Sequence, residues 1–345
     1  MNNAISKSSL SGKNILLLSW EFYDYPDMIL DTIEQLGGSV TYINSVSSKS
    51  HLMMKLKKTI PFLNRQYENR TLETLANKSF DYLFVVNPAL FEIQFLNKLE
   101  KIVKFNYKVA YLWDSINTFP EVTARFPLFD QIFSFDPDDC NQNDQLTFLP
   151  LFYEDRLADT SVHTDVDFSF VGFAHSQRYD FTQKIRKIAT KNNMTCDFRL
   201  YLPSVLYYLR GKFVTHIFDG AKASDFMFTP LSKLDTQKVM ESSKVVVDMQ
   251  LDNQVGLTMR TIETLGMKRK LITTNTNISK YDFYNPNNIL IVERDNPQIP
   301  VSFVAGAYED IPASIFRQYS LTSWVRTIFN LEGGNNEAKY NHPSL

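Results

Sequence analysis

Cysteine is nearly absent from this 345-residue chain: only Cys140 and Cys196 occur, far apart and without metal-ligand spacing. That excludes a disulfide framework and gives no support for a zinc site. No stretch approaches the roughly 18 consecutive apolar residues of a membrane span, and the start, MNNAISKSSLSGKN, is polar where a signal region would be apolar. The expectation is a cytoplasmic protein, in contact with a membrane only at its surface if at all. Strong charge of either sign is also missing. A formal net charge of −2 offers no global attraction to nucleic acid or anionic lipid, so any such contact needs a local patch. There is no P-loop, no Gly-X-Ser-X-Gly elbow, no clustered histidine site, and no Asp-X-Asp triplet placed to demand a divalent metal.

What is present is alternation. NILLLSW (14–20), SVTYIN (39–44), DYLFVVN (81–87), KVAYLWD (108–114) and QIFSFD (131–136) read as short buried strands. Helical segments fall between them: one opened by Pro26 with Ile29, Ile33 and Leu36 on a stripe and stopped at Gly37-Gly38, others at about 70–78 and 91–104. Such alternation implies a parallel sheet covered on both faces. LPLFYEDRLADTSVHTD (149–165) breaks it and reads as a linker. A second series follows in DFSFVGF (167–173), CDFRLYL (196–202), KVVVDMQ (244–250), KLITTN (270–275) and NILIVE (288–293), with an amphipathic helix over 178–192. The length suits two domains. The boundaries expected are 1–155, 156–315, and a final segment 316–345 whose helix over about 316–329, with Trp324, returns to the first domain.

The stretch GLTMRTIETLGMKRKLITTN (256–275) concentrates the chemistry. Arg260 and Glu263 are neighbours on one helix face, and the helix opens at Gly256 and Thr258, where amides are still available to an anion. A cation, amides and one carboxylate suit a nucleoside diphosphate, with phosphates at the helix start and ribose hydroxyls on the acid. The bland alternative is a surface ion pair. Gly172 follows the first strand of the second series, where a missing side chain lets a diphosphate approach the backbone. His175 would either contact the ligand or cap a helix. Arg178 stands in the first turn of a helix, where the dipole opposes a cation, and this points to a phosphate partner. Asn275, Tyr281 and Asp282 lie beyond the carboxyl end of a strand, where ligands gather in open α/β sheets.

In the first domain Asp114 closes the strand KVAYLW and is the candidate general base toward an acceptor hydroxyl, against a bland role as a helix cap. Glu21 and Asp24, after the first strand, are weaker catalytic candidates. DPDD (136–139) reads as a turn and helix cap. The mixed cationic and apolar stretches 51–70 and 206–214 suit either a lipid surface or solvated helix faces with core residues behind them.

On GLTMRTIETLGMKRKLITTN, with DFSFVGFAHSQRYDFTQKIRKI (167–188) and ISKYDFYNPNNILIV (278–292), the chain resembles GT-B glycosyltransferases, nearest to the CgeB-like and the lipopolysaccharide and capsule biosynthesis branch. In the first 150 residues YLWDS (111–115) and SFDPDD (134–139) carry the likeness. The resemblance implies an α/β fold of two doubly wound Rossmann-like domains facing across a cleft. It implies transfer of a sugar from a nucleotide-activated donor to a polysaccharide, lipopolysaccharide or other glycan acceptor, without cofactor or metal. Where the commonest retaining members carry a second Glu eight residues ahead of the ribose-binding one, this chain has Val255. The rival expectations are a nucleotide-sugar epimerase on the same fold and a catalytically silent nucleotide-sugar-binding partner protein.

Overall fold

The computed structural model describes residues 9–20, 24–45, 61–158, 163–174, 177–250 and 255–332. Its chain divides into two units, one formed by residues up to Leu151 together with those from Leu321, the other by Phe152–Ser320.

The first unit holds one parallel sheet of β1 (Asn14–Ser19), β2 (Ser39–Asn44), β3 (Ser79–Val86), β4 (Lys104–Leu112), β5 (Gln131–Ser134) and β6 (Leu146–Phe148), in the order β2-β1-β3-β4-β5-β6. All the pairings are parallel, so both faces need cover, and the strands are near-continuous apolar runs for that reason. The alternation along β3 sorts its side chains. Leu83 and Val85 pack with Leu72 and Leu75 of α2 (Pro61–Leu75) and with Phe95, Leu96 and Leu99 of α3 (Ile93–Ile102). Tyr82 and Phe84 point the other way, onto Phe329 and Trp324. Trp324 belongs to α11 (Leu321–Ile328), and its ring also meets Tyr111 at 4.7 Å. α1 (Tyr25–Gln35), with Pro26 in its first turn, packs beside α11. A short helix α4 (Pro137–Gln142) follows β5.

The final helical segment is therefore two helices. α10 (Ala313–Gln318) stays in the second unit, where Phe316 meets Tyr153, and α11 joins the first. The break at Tyr319-Ser320 is held by the Tyr319 hydroxyl donating to Asp282 (2.6 Å) and by a bridge between Tyr153 and Ser320.

The second unit holds β7 (Val166–Phe173), β8 (Cys196–Tyr201), β9 (Phe226–Met227), β10 (Ser243–Asp248), β11 (Lys270–Thr273) and β12 (Ile289–Ile291), in the order β12-β11-β10-β7-β8-β9 and all parallel. Counted within the unit, that is strand order 6-5-4-1-2-3, the order of dinucleotide-binding sheets, whose switch point lies between the first and fourth strands. Here these are β7 and β10. The crossover helices are α5 (Arg178–Lys191), α6 (Val205–Phe213), α7 (Lys233–Glu241) and α8 (Met259–Gly266), with α9 (Val301–Ala305) before α10.

The expected linker over 149–165 is better packed at its start than its sequence suggested. Leu149, Leu151, Phe152 and Tyr153 are all buried. Tyr153 fills the space left by Gly266: a β-carbon there would fall 2.5 Å from the Tyr153 ring. The last turn of α8 thus rests directly on that tyrosine. Cys140 and Cys196 are both free, and burial pushes their thiols up, to about 12 and about 11. Among the described residues no helix is long and apolar enough to cross a membrane.

Candidate functional site

At the carboxyl ends of β7 and β10, the switch point of the second sheet, Arg178 lies close enough to Asp248, Arg260 and Arg294 to feel the charge of each. Asp248, the last residue of β10, is buried and accepts from the hydroxyls of Thr258 (2.5 Å) and Thr261 (3.1 Å). Thr258 is the N-cap of α8, and its oxygen accepts from the Thr261 amide at 3.1 Å. The carboxylate and two threonines therefore fix where α8 begins. The first intrahelical bond there runs from Ile262 N to Thr258 O, so the amides of Met259 and Arg260 precede the helical ladder. Asn275 ties in the turn ahead of the helix: its Nδ2 donates to Val255 O (3.1 Å) while its Oδ1 accepts from Asn277 N (3.0 Å). Both ends of that amide are engaged in shaping the loop. Tyr281 packs its ring against Phe283 and is buried.

Arg178 is held by main-chain carbonyls. Its Nε and Nη2 both donate to Met249 O (3.0 and 2.7 Å), and Nη1 reaches Phe173 O at 3.4 Å. The guanidinium ties the ends of β10 and β7 together, which gives a cation in a first helical turn a structural role as well. Burial lowers its pKa to about 10; Asp248 acts in the opposite sense, and Arg260 and Arg294 lower it further. It stays charged at neutral pH. Arg294, just after β12, donates to Gln250 O at 3.1 Å.

Arg260 is held differently. Its guanidinium lies over the Phe170 ring, 5.8 Å from the centroid, and a β-carbon on Gly172 would come within 3.3 Å of Nη1. The guanidinium therefore lies beside Gly172, where a diphosphate is expected. Its Nε is buried and has no hydrogen-bond partner among the described residues. Here is a half-buried cation, braced by an aromatic ring, with donor capacity left over.

Glu263 is one turn along α8 from Arg260, on the same helix as expected. It is only 6 % exposed, deeper than a residue expected at the surface of a binding site. His175 lies outside the described residues, as does Glu21. Gly256 is buried in the turn before α8.

In the first unit, Asp114 follows β4 and accepts from Asn87 Nδ2 at 2.6 Å. Burial raises its pKa. No helix starts at Asp114, so it is not a helix cap. Asn87 follows β3, has φ of 54°, and donates its amide to Tyr111 O. This left-handed residue aims its amide at the carboxylate. Asp24 lies exposed before α1 and makes no side-chain capping bond.

Four residues of these two edges were missed by sequence reasoning: Asp248, Arg294, Asn87 and Asp139. Asp136 does cap α4, accepting from Asp138 N, but Asp139 turns inward. It is buried, accepts from Ile116 N at 2.8 Å, and burial raises its pKa to about 6. Asp248 carried a readable signal, since it ends an apolar strand as Asp114 does.

In the stretches 51–70 and 206–214 the structure separates two cases. Residues 51–60 lie outside the described residues, and α2 beyond them buries Leu72 and Leu75 behind a solvated face. α6 exposes its apolar residues.

No protein-family model matches the chain, and no curated protein matches it either. Solved structures do match. A glycosyltransferase from Rickettsia africae aligns with a TM-score of 0.55 and 9 % identity over 93 % of this chain and 98 % of its own. HepE from Anabaena, solved with UDP-glucose, aligns with a TM-score of 0.58 and 9 % identity over 92 % of this chain and 98 % of its own. The chain has the two-unit α/β fold of GT-B glycosyltransferases. At this identity the likeness is one of fold.

Proposed function

We propose that this protein is a glycosyltransferase whose nucleotide-activated sugar donor binds at the carboxyl edge of the second sheet. The observation that carries the reading is Arg260: a braced guanidinium with an unengaged buried Nε, at the switch point of a sheet with dinucleotide-binding order. Arg178 and Arg294 add two positive charges close by, and Asp248 subtracts one. The balance favours an anion such as a diphosphate. The same charge would stabilise the diphosphate as it departs, the work a metal does in other transferases. Glu263 would meet the ribose hydroxyls and Gly256 and Thr258 shape the turn beside the phosphates.

Asp114, desolvated and oriented by Asn87, would accept the proton of an acceptor hydroxyl in an inverting transfer. The resemblance to the lipopolysaccharide and capsule branch favours a glycan acceptor. HepE, with its bound UDP-glucose, makes a uridine nucleotide the first donor to try.

The test is a thermal-shift series with UDP, GDP, dTDP, ADP and CMP sugars, followed by turnover assays with and without chelator. Binding of one nucleotide raises the melting temperature, and transfer to a glycan acceptor persists in EDTA. Stabilisation by none of them would remove the donor site. Conversion of the free nucleotide sugar without acceptor would make the protein an epimerase.

A further inference from the structure

Among the described residues, the exposed large hydrophobic side chains are concentrated in one place. Val205, Leu206, Tyr207, Leu209, Phe213, Val214 and Ile217 all belong to α6 and the turn after it, with Leu206 75 % and Phe213 66 % exposed. Solvated helix faces are ordinarily polar, and a contiguous apolar patch marks an interaction surface.

The patch is not a loosely placed segment. α6 begins at Ser204, whose hydroxyl accepts from Tyr207 N. Its inner face is already satisfied: Tyr208 is buried with its hydroxyl on Ala221 O, and Phe218 fits against Gly211 so closely that a β-carbon there would fall 2.2 Å from the ring. Tyr208 and Phe218 both pack on Phe226. The helix is docked firmly by one face while the other presents leucine, valine and phenylalanine to water.

We infer that α6 seats this protein on an anionic lipid surface. Charge selects that occupant. From Phe198 to Phe218 the sequence has no Asp or Glu, while Arg199, Arg210 and Lys212 supply cations. Arg210 is exposed beside the apolar residues, and Lys222 is exposed beyond them. Lys212 is held back by Tyr208 Oη and Ala221 O, and Arg199 pairs with Asp197. The first acid after the helix, Asp219, faces His216 at 3.1 Å. Apolar side chains flanked by cations match the boundary between acyl chains and anionic headgroups. A second copy of the chain fits less well: a nine-residue helix is about 13 Å long and about 10 Å wide, so one face falls well short of the roughly 800 Å² per partner of a stable dimer.

Tyr207 of the patch meets Phe173 at 5.7 Å, and Phe173 directly follows Gly172 and accepts from Arg178. A lipid surface on α6 therefore adjoins the arginine cluster. The inference itself stands on the surface alone and does not depend on the proposed activity.

Vesicle flotation of the full chain tests it, using phosphatidylcholine vesicles with and without about 30 mol % phosphatidylglycerol, at low and high salt. The wild type floats with the anionic vesicles and releases in salt. The double variant Leu206→Glu, Phe213→Glu should lose at least tenfold in partitioning. Arg210→Glu should lose more than about fivefold, and only on anionic vesicles. Both variants change solvent-facing positions, and an unchanged melting temperature shows that each is folded. No flotation of the wild type, or equal flotation of the double variant, overturns the inference. A wild-type dimer in sedimentation that Leu206→Glu dissociates, without vesicle binding, would assign the patch to a second copy instead. Nucleotide stabilisation measured on the same samples separates failure of this surface from failure of the donor site.

Discussion

At the carboxyl edge of the second sheet, Arg178 and Arg294 donate to the carbonyls of Met249 and Gln250, and Arg260 lies over Gly172. At the corresponding edge of the first sheet, Asp114 and Asp139 accept from Asn87 and from the Ile116 amide. Both sheets are six parallel strands, and both place charge beyond the strand ends. The sign is opposite. One edge carries guanidinium groups, the other carboxylates whose protons burial makes harder to lose. The two sheets differ in strand order, 2-1-3-4-5-6 in the first and 6-5-4-1-2-3 in the second, yet on the proposed reading one edge serves donor binding and the other proton transfer. The difference in sign lies in a handful of residues after the strands.

The largest effect should come from Asp114→Asn. It removes the proton acceptor and keeps the bond geometry to Asn87, so turnover should fall by about 10²- to 10⁴-fold. Steady-state rates with donor affinity measured in parallel check this. Near-normal turnover would strip the first edge of its catalytic half of the comparison and favour a retaining route.

Next in size is Gly266→Ala. The added β-carbon would strike Tyr153, and overpacking typically costs about 1–3 kcal/mol. Denaturant unfolding should show that loss. Because α8 carries Arg260, donor affinity should weaken along with it, and a stability loss with undiminished affinity would show that the helix position does not set the site.

An effect of similar size, but one that vanishes toward low pH, is confined to the first unit. Asp139 has a folded pKa of about 6 against an ordinary 3.8, so the folded state holds this proton more tightly than the unfolded one. Its stabilising contribution is complete below pH 3.8 and is lost as pH rises through 6. Asp139→Asn can still accept from Ile116 N and should be more stable than wild type at pH 8, on the order of 2 kcal/mol, with the advantage shrinking toward pH 4. Melting temperatures across that range decide it. An advantage that does not vary with pH would mean that Asp139 is not the titrating group.

Much of this arrangement is legible in the sequence. The apolar runs give ten of the twelve strands, because strands buried on both faces leave an unbroken hydrophobic signature. β6 and β9 escape because three and two residues are too few for any pattern. The break between α10 and α11 escapes because the stripe of apolar residues runs through it, while the bond that fixes it, Tyr319 to Asp282, spans 37 positions. The position of Asp114 beyond a strand end was readable. The carbonyl contact of Arg178 was not, since its partner is a main-chain oxygen 71 residues away, to which sequence gives no identity. Glu263 was placed on the right helix, but its burial depends on what packs against that helix.

The comparison between the two edges meets its most direct test in calorimetric titration of the donor nucleotide into wild type, Arg260→Ala and Asp114→Asn. A charge-assisted hydrogen bond is worth about 1.5–3 kcal/mol, so Arg260→Ala should bind at least tenfold more weakly while Asp114→Asn binds as the wild type does. Equal affinity in wild type and Arg260→Ala, or a loss confined to Asp114→Asn, would contradict the assignment of anion binding to the second sheet's edge.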